Sequence, residues 1–151
     1  MAFSNIFHYS GRRWVNQILN GQIARPSTLY LGLRTLNGVG SNPSDATLAD
    51  TLTSNLTEVG TGLGYARIAI TFNNTNFVES LSSPDSILTV AAQTFTFTGT
   101  VSGVTHSFLC TSSDNSGVLI CSAAIPAAVV KNFGSGDTYQ VTAVFAMGTH
   151  A

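Results

Sequence analysis

The stretch Val104–Ile125, VTHSFLCTSSDNSGVLICSAAI, constrains the fold more than any other part of the chain. Two apolar, β-branched runs flank Ser112-Ser113-Asp114-Asn115-Ser116-Gly117, residues that cap turns with their side chains or tolerate positive φ. That pattern is a β-hairpin in a half-buried sheet. With Cys110 opposite Cys121, the residues His106, Phe108, Cys110, Leu119, Cys121, Ala123 and Ile125 share one face, and Thr105, Ser107, Thr111 and Ser122 share the other. The hydrophobic pattern favours this register. A type I turn with a bulge at Gly117 shifts it by one residue and sends the two cysteines to opposite faces.

Alternation recurs along much of the chain. Thr28–Arg34 turns Leu29, Leu31 and Leu33 one way and Thr28, Tyr30, Gly32 and Arg34 the other. Tyr65–Phe72 reads as a strand with Ala66, Ile68, Ile70 and Phe72 inward and Tyr65, Arg67 and Thr71 outward. Ile87–Val90, Gln93–Thr98 and a short Ala128–Lys131 add strands. Thr138–Met147 sets Tyr139, Val141, Ala143, Phe145 and Met147 against Gln140 and Thr142. Seven or eight strands with short turns predict an all-β fold, an antiparallel β-sandwich of jelly-roll type.

The amino-terminal segment has a different period. Phe3, Ile6, Phe7, Trp14 and Ile18 form one stripe at helical spacing, so Ser4–Leu19 is expected to be an amphipathic helix with Ser4 as N-cap and Asn20-Gly21 as its stop. Gly11 inside it allows a bend or the close approach of another backbone. Residues 1–25 are thus expected to be a helical arm and residues 26–151 the sandwich domain, with a long loop at 36–61 and a helical turn near Ala46–Leu52. The stripe has two readings, packing on the chain's own sheet or docking on a neighbouring subunit. Phe3, Ile6, Phe7, Arg12, Arg13, Trp14 and Ile18 are the candidate interface, with the two arginines as ion-pair partners across it.

Composition limits the function. One domain is expected from 151 residues, a length that buries a core without metal or disulfide staples. Only 9% of residues are charged, against about a quarter in ordinary domains. The net charge of −1 leaves no electrostatic footprint for nucleic acid or an anionic membrane. A weakly charged surface with mean hydropathy +0.26 suits a subunit covered by its neighbours. The amino terminus lacks a secretory pattern and no run reaches membrane-spanning length, so synthesis in the cytoplasm and two reduced thiols are expected.

No catalytic, cofactor or metal site is predicted. His8, His106 and His150 lack paired spacing for zinc. Gly60, Gly62 and Gly64 lack the Lys-Ser/Thr of a phosphate loop, and Asp45, Asp50 and Glu58 lack the spacing of a calcium loop. No G-x-S-x-G elbow is present, and Glu58, Glu79, Asp85 and Asp114 lie in turn-rich segments where solvated acids are the rule. A carbohydrate-binding module would need Tyr30, Tyr65 or Trp14 exposed in a groove.

Five segments in chain order carry a family resemblance: a helix ending in ILNG, LYLGLRT, TEVGTGLGYARIAITF, the hairpin, and SGDTYQVTAVFAM. Together they resemble the small virion structural proteins of tailed bacteriophages, labelled head-decoration or tail-fibre proteins. The resemblance implies a non-enzymatic virion protein, with a capsid decoration or cement protein as the first expectation and a tail-fibre, tail-tip or baseplate component as the alternative. It implies the major capsid protein as partner, together with other copies of the chain, a trimer first.

Overall fold

The computed structural model describes residues 5–35, 57–82, 85–125 and 130–147. Phe3, Ser4, the 36–56 part of the long loop with its Ala46–Leu52 turn, the start of the Ala128–Lys131 strand and His150 lie outside them.

The chain order is β1 (Asn5–Phe7), α1 (Tyr9–Leu19), β2 (Thr28–Thr35), β3 (Ile68–Thr71), β4 (Phe77–Ser82), β5 (Asp85–Val90), β6 (Gln93–Thr96), β7 (Val101–Cys110), β8 (Leu119–Ala124), β9 (Lys131–Phe133), β10 (Thr138–Val141) and β11 (Val144–Met147). All pairings are antiparallel, and the expected sandwich is present.

The larger sheet runs β1-β8-β7-β2-β3. Val104 lies opposite Thr35 on one side and Lys131 on the other, so β8 and β9 follow one another along the same flank of β7. The smaller layer has β11-β5-β4 and β10-β6. These are successive parts of one kinked ladder. Val141 lies opposite Gln93 and Val144 opposite Thr89, and Val90 N–H donates to Ala143 O at 2.9 Å across the break.

The core lies between the layers. Leu29, Leu31, Leu33, Ile70, Leu109 and Ala123 come from the larger sheet; Val90, Phe95, Val141 and Phe145 come from the smaller. Phe97 stacks on Phe133 with ring centroids 4.5 Å apart, and Phe133 meets Tyr139 at 5.0 Å, which ties β9 to the smaller layer. Phe72 and Phe77 meet edge to face at 5.1 Å where the chain crosses from β3 to β4.

The hairpin register departs from the favoured expectation. Leu109, not Cys110, lies opposite Cys121, and Cys110 lies opposite Leu119, so Ile120 is an extra residue on β8. The turn holds this arrangement: Thr111 N–H donates to Val118 O at 3.1 Å and Val118 N–H to Thr111 Oγ1 at 2.8 Å. Ile120 and Cys121 therefore both enter the main core, as a bulge requires, while Cys110 joins Phe108 and Leu119 in a separate cluster on the opposite face. The shift by one residue and the cysteines on opposite faces match the alternative register, with the bulge at Ile120 instead of Gly117.

The expected Ser4–Leu19 helix is shorter. Asn5–Phe7 pair with Ala123–Cys121 as β1, His8 is the N-cap, and the helix starts at Tyr9. The bulge explains where it sits. His8 N–H donates to the Ile120 carbonyl at 2.9 Å, Ser10 Oγ donates to Leu119 O at 2.7 Å, and a Cβ on Gly11 would lie 2.3 Å from that same Ile120 oxygen. Only glycine permits this approach of helix to strand.

The expected Tyr65–Phe72 strand is the shorter β3, and two of its face assignments are corrected. Tyr65 is buried in the core and Ala66 is exposed, because positive φ at Gly62 and Gly64 turns the chain before alternation resumes at Ile68.

Candidate functional site

The glycine-rich passage and the hairpin turn meet in one polar cluster. Thr57–Val59 extends the flank of β2: Thr35 N–H donates to Thr57 O at 2.7 Å, and Val59 N–H to Leu33 O at 3.1 Å. Glu58 is thereby set beside the chain that returns through Tyr65 and Arg67. Arg67 donates through Nε to Glu58 Oε1 at 2.9 Å and through Nη2 to Oε2 at 2.6 Å, the parallel two-bond geometry in which guanidinium and carboxylate bind most strongly. The Tyr65 hydroxyl donates to Glu58 Oε1 at 2.8 Å and accepts from Leu33 N–H at 2.9 Å.

Arg67 then reaches the hairpin turn. It donates to Ser112 O at 3.1 Å, to Asn115 Oδ1 at 3.0 Å and to Asp114 O, and its guanidinium lies 5.5 Å from the centre of the Phe108 ring. Within the turn, Asp114 Oδ1 accepts from Ser116 N–H at 2.8 Å and Ser116 Oγ at 2.6 Å, and these bonds hold its carboxyl below the usual range. Both carboxylate oxygens of Glu58 and all three guanidinium nitrogens of Arg67 face other members of the cluster. This is the chemistry of a clamp.

A second polar group lies further along the same outer face of the larger sheet, where Arg34 is the cross-strand partner of His106 and Ser122 that of Phe108. Arg34, His8, His106 and Ser122 are all buried. Arg34 Nη1 donates to Ser122 Oγ at 2.7 Å, and the same oxygen lies 2.9 Å from His8 Nε2. Burial lowers the Arg34 guanidinium to about 10. His106 Nδ1 lies 2.9 Å from Thr105 Oγ1.

The two cysteines are free thiols on opposite faces. Burial pushes the Cys110 thiol up to about 11 and the Cys121 thiol well above its ordinary value. Burial, followed by the Glu58 charge, raises the Tyr65 hydroxyl as well. All three are neutral when protonated, and the folded state keeps their protons to higher pH than the unfolded chain. Their contribution to stability is present below pH about 9 and lost as pH rises, because the unfolded thiols and phenol ionise first. Denaturant unfolding should therefore show stability falling between pH about 9 and pH about 11, at up to about 1.4 kcal/mol per pH unit for each group.

Of the candidate interface residues, Trp14 is 7% exposed in the chain's own core, with Phe7 and Ile18 packed against that core. Arg12 and Arg13 face outward. Phe3, and the side chain of Ile6, lie outside the described residues. Tyr65 and Trp14 are buried and Tyr30 is half-buried, so the first two offer no sugar-stacking surface. Among the described residues no group of three or more His, Cys, Asp and Glu gathers to hold a metal, and no helix is long and apolar enough to cross a membrane.

Sequence reasoning missed the Glu58–Arg67 pair, although both residues stand in TEVGTGLGYARIAITF, one of the five segments that carry the family resemblance. A family model described as podophage GP4 fiber I protein gp80 matches residues 5–146. The chain belongs to this gp80 fibre family. It is a structural protein of the phage virion. Comparison with curated proteins gives no match. In this gp80 family member, the matched span takes in β1, the helix, the clamp and every strand to β11 except the last residue, so the family pattern covers the whole sandwich.

Proposed function

We propose that this chain is a subunit of a tail-fibre assembly, working by binding and without a catalytic step. The observation that carries the reading is the fibre-family match across residues 5–146. It favours the tail alternative over decoration of the head shell. The polar groups described above support a non-catalytic role, since Glu58, Tyr65 and Arg67 are taken up by one another and by the hairpin turn.

In this reading the sandwich is a rigid block whose weakly charged surface is covered by neighbouring chains. Closed symmetry along a fibre makes a trimer the first assembly to expect. The test is copy number against the major shell protein in purified particles by quantitative mass spectrometry, with antibody labelling in electron micrographs. A small fraction of the shell copy number with label on the tail is the expected result. A ratio near one, or a simple fraction of it, with label over the head would overturn the tail reading and restore shell decoration.

A further inference from the structure

The β4 edge and the outer stripe of α1 lie on opposite sides of the sandwich. In the larger sheet β1 and β3 are the terminal strands; in the smaller, β11 and β4 are. The β3–β4 crossing, with Phe72 against Phe77, puts those two edges on one side, and β1 packs beside β11 on the other. Among the described residues β4 pairs with β5 alone. Beyond Phe77 all of it is exposed, including Val78 at 51% and Leu81 at 83%, one on each face of the strand. An open edge that carries exposed apolar side chains is an association hazard that native proteins cover, often with a helix.

The helix with a matching surface is α1. Tyr9, Arg12, Arg13, Asn16 and Leu19 recur at helical spacing along its exposed face, and Leu19 is 79% exposed. The helix carries two cations and no anion, whereas β4 and β5 carry Glu79 and Asp85 and no cation. Arg13 is exposed and meets no acid among the described residues, and Glu79 accepts only from Ser86 Oγ, at 3.0 Å. Apolar side chains flank the charges on both surfaces, but within one chain the body of the sandwich separates them.

We infer that the β4 edge of one copy docks on the exposed α1 stripe of a second copy, Glu79 facing Arg13 and Leu81 packing beside Leu19. The two patches are different surfaces on opposite sides, so the contact is head-to-tail and closes into a ring when the rotation permits. The inference gives the multi-copy fibre reading its contact surface, and it stands or falls separately, because it is tested on the purified chain and not on particles.

Sedimentation equilibrium of the full chain, with circular dichroism to verify folding, is the test. The unaltered chain is expected to self-associate, more weakly as salt rises. Glu79→Arg or Arg13→Glu alone should weaken association roughly tenfold, and the double swap should restore it to within about threefold. Leu81→Asp, at a site too exposed to affect folding, should also weaken it roughly tenfold. A chain that stays monomeric up to about 1 mM, single reversals without effect, or a double swap that fails to restore association would each overturn the inference.

Discussion

Replacing Arg67 with alanine should lower the unfolding free energy by about 3–5 kcal/mol, the range for removing one partner of a buried ion pair. Arg67 is 4% exposed at its side chain and Glu58 18%, so the carboxylate left behind would be mostly out of water with, among the described residues, only the Tyr65 hydroxyl facing it. The hairpin turn would also lose its bonds at Ser112, Asp114 and Asn115. Arg67→Lys should recover only part of the loss, since an ammonium cannot make two parallel bonds to Glu58 and reach the turn as well. Urea unfolding of the three proteins measures this. A melting shift of roughly 2–4 °C accompanies each kcal/mol in a chain of this size. An alanine variant within about 0.5 kcal/mol of the parent would show that the clamp is solvated and contributes little.

Phe97→Ala should cost about 3–5 kcal/mol by a different route, the loss of a buried ring and the cavity left behind. Phe97 is fully buried against Phe133, and its backbone is held on both sides, with its N–H donating to Asp137 O at 2.9 Å and its carbonyl accepting from Gly136 N–H at 2.8 Å. A fixed backbone cannot collapse into the vacated space, so the upper part of that range applies. Leu81→Ala, at a residue of similar character but 83% exposed, should change the stability of the monomer by less than about 0.5 kcal/mol. Denaturant titrations of the two variants separate burial from hydrophobicity.

The strands visible in sequence are those with one face in the core. Leu29, Leu31 and Leu33 alternate with polar residues because only their side meets the smaller layer, and the same holds from Tyr139 to Phe145. The strand β4 was not legible: past Phe77 neither face is buried, so FVESLS carries no alternation. Asn5–Phe7 was absorbed into a helix because a three-residue strand next to a helix adds apolar residues that fit either period. The hairpin itself was plain, but Leu119-Ile120-Cys121 is apolar throughout, and a uniformly apolar run does not reveal which residue is extra. The clamp was not legible: Glu58 stands in a turn-rich passage where acids are expected to be solvated, and Tyr65 and Arg67 fall at positions that alternation turns outward. Their convergence depends on two glycines at positive φ that fold the passage back on itself.

The pairing of β1 with β8 has a consequence for how the molecule forms. His8 and Ser122 are 114 positions apart, yet they meet in the buried layer beside the bulge that seats the helix. The strand β1 is therefore without its partner until the ribosome has passed the hairpin, and it closes the sheet late, against a large loop-closure entropy. Folding should be slow for a domain of this length, and the amphipathic segment of β1 and α1 waits, undocked, until the hairpin has been made. The crowded setting of virion assembly makes that interval the time when the chain is most open to capture by the wrong neighbour.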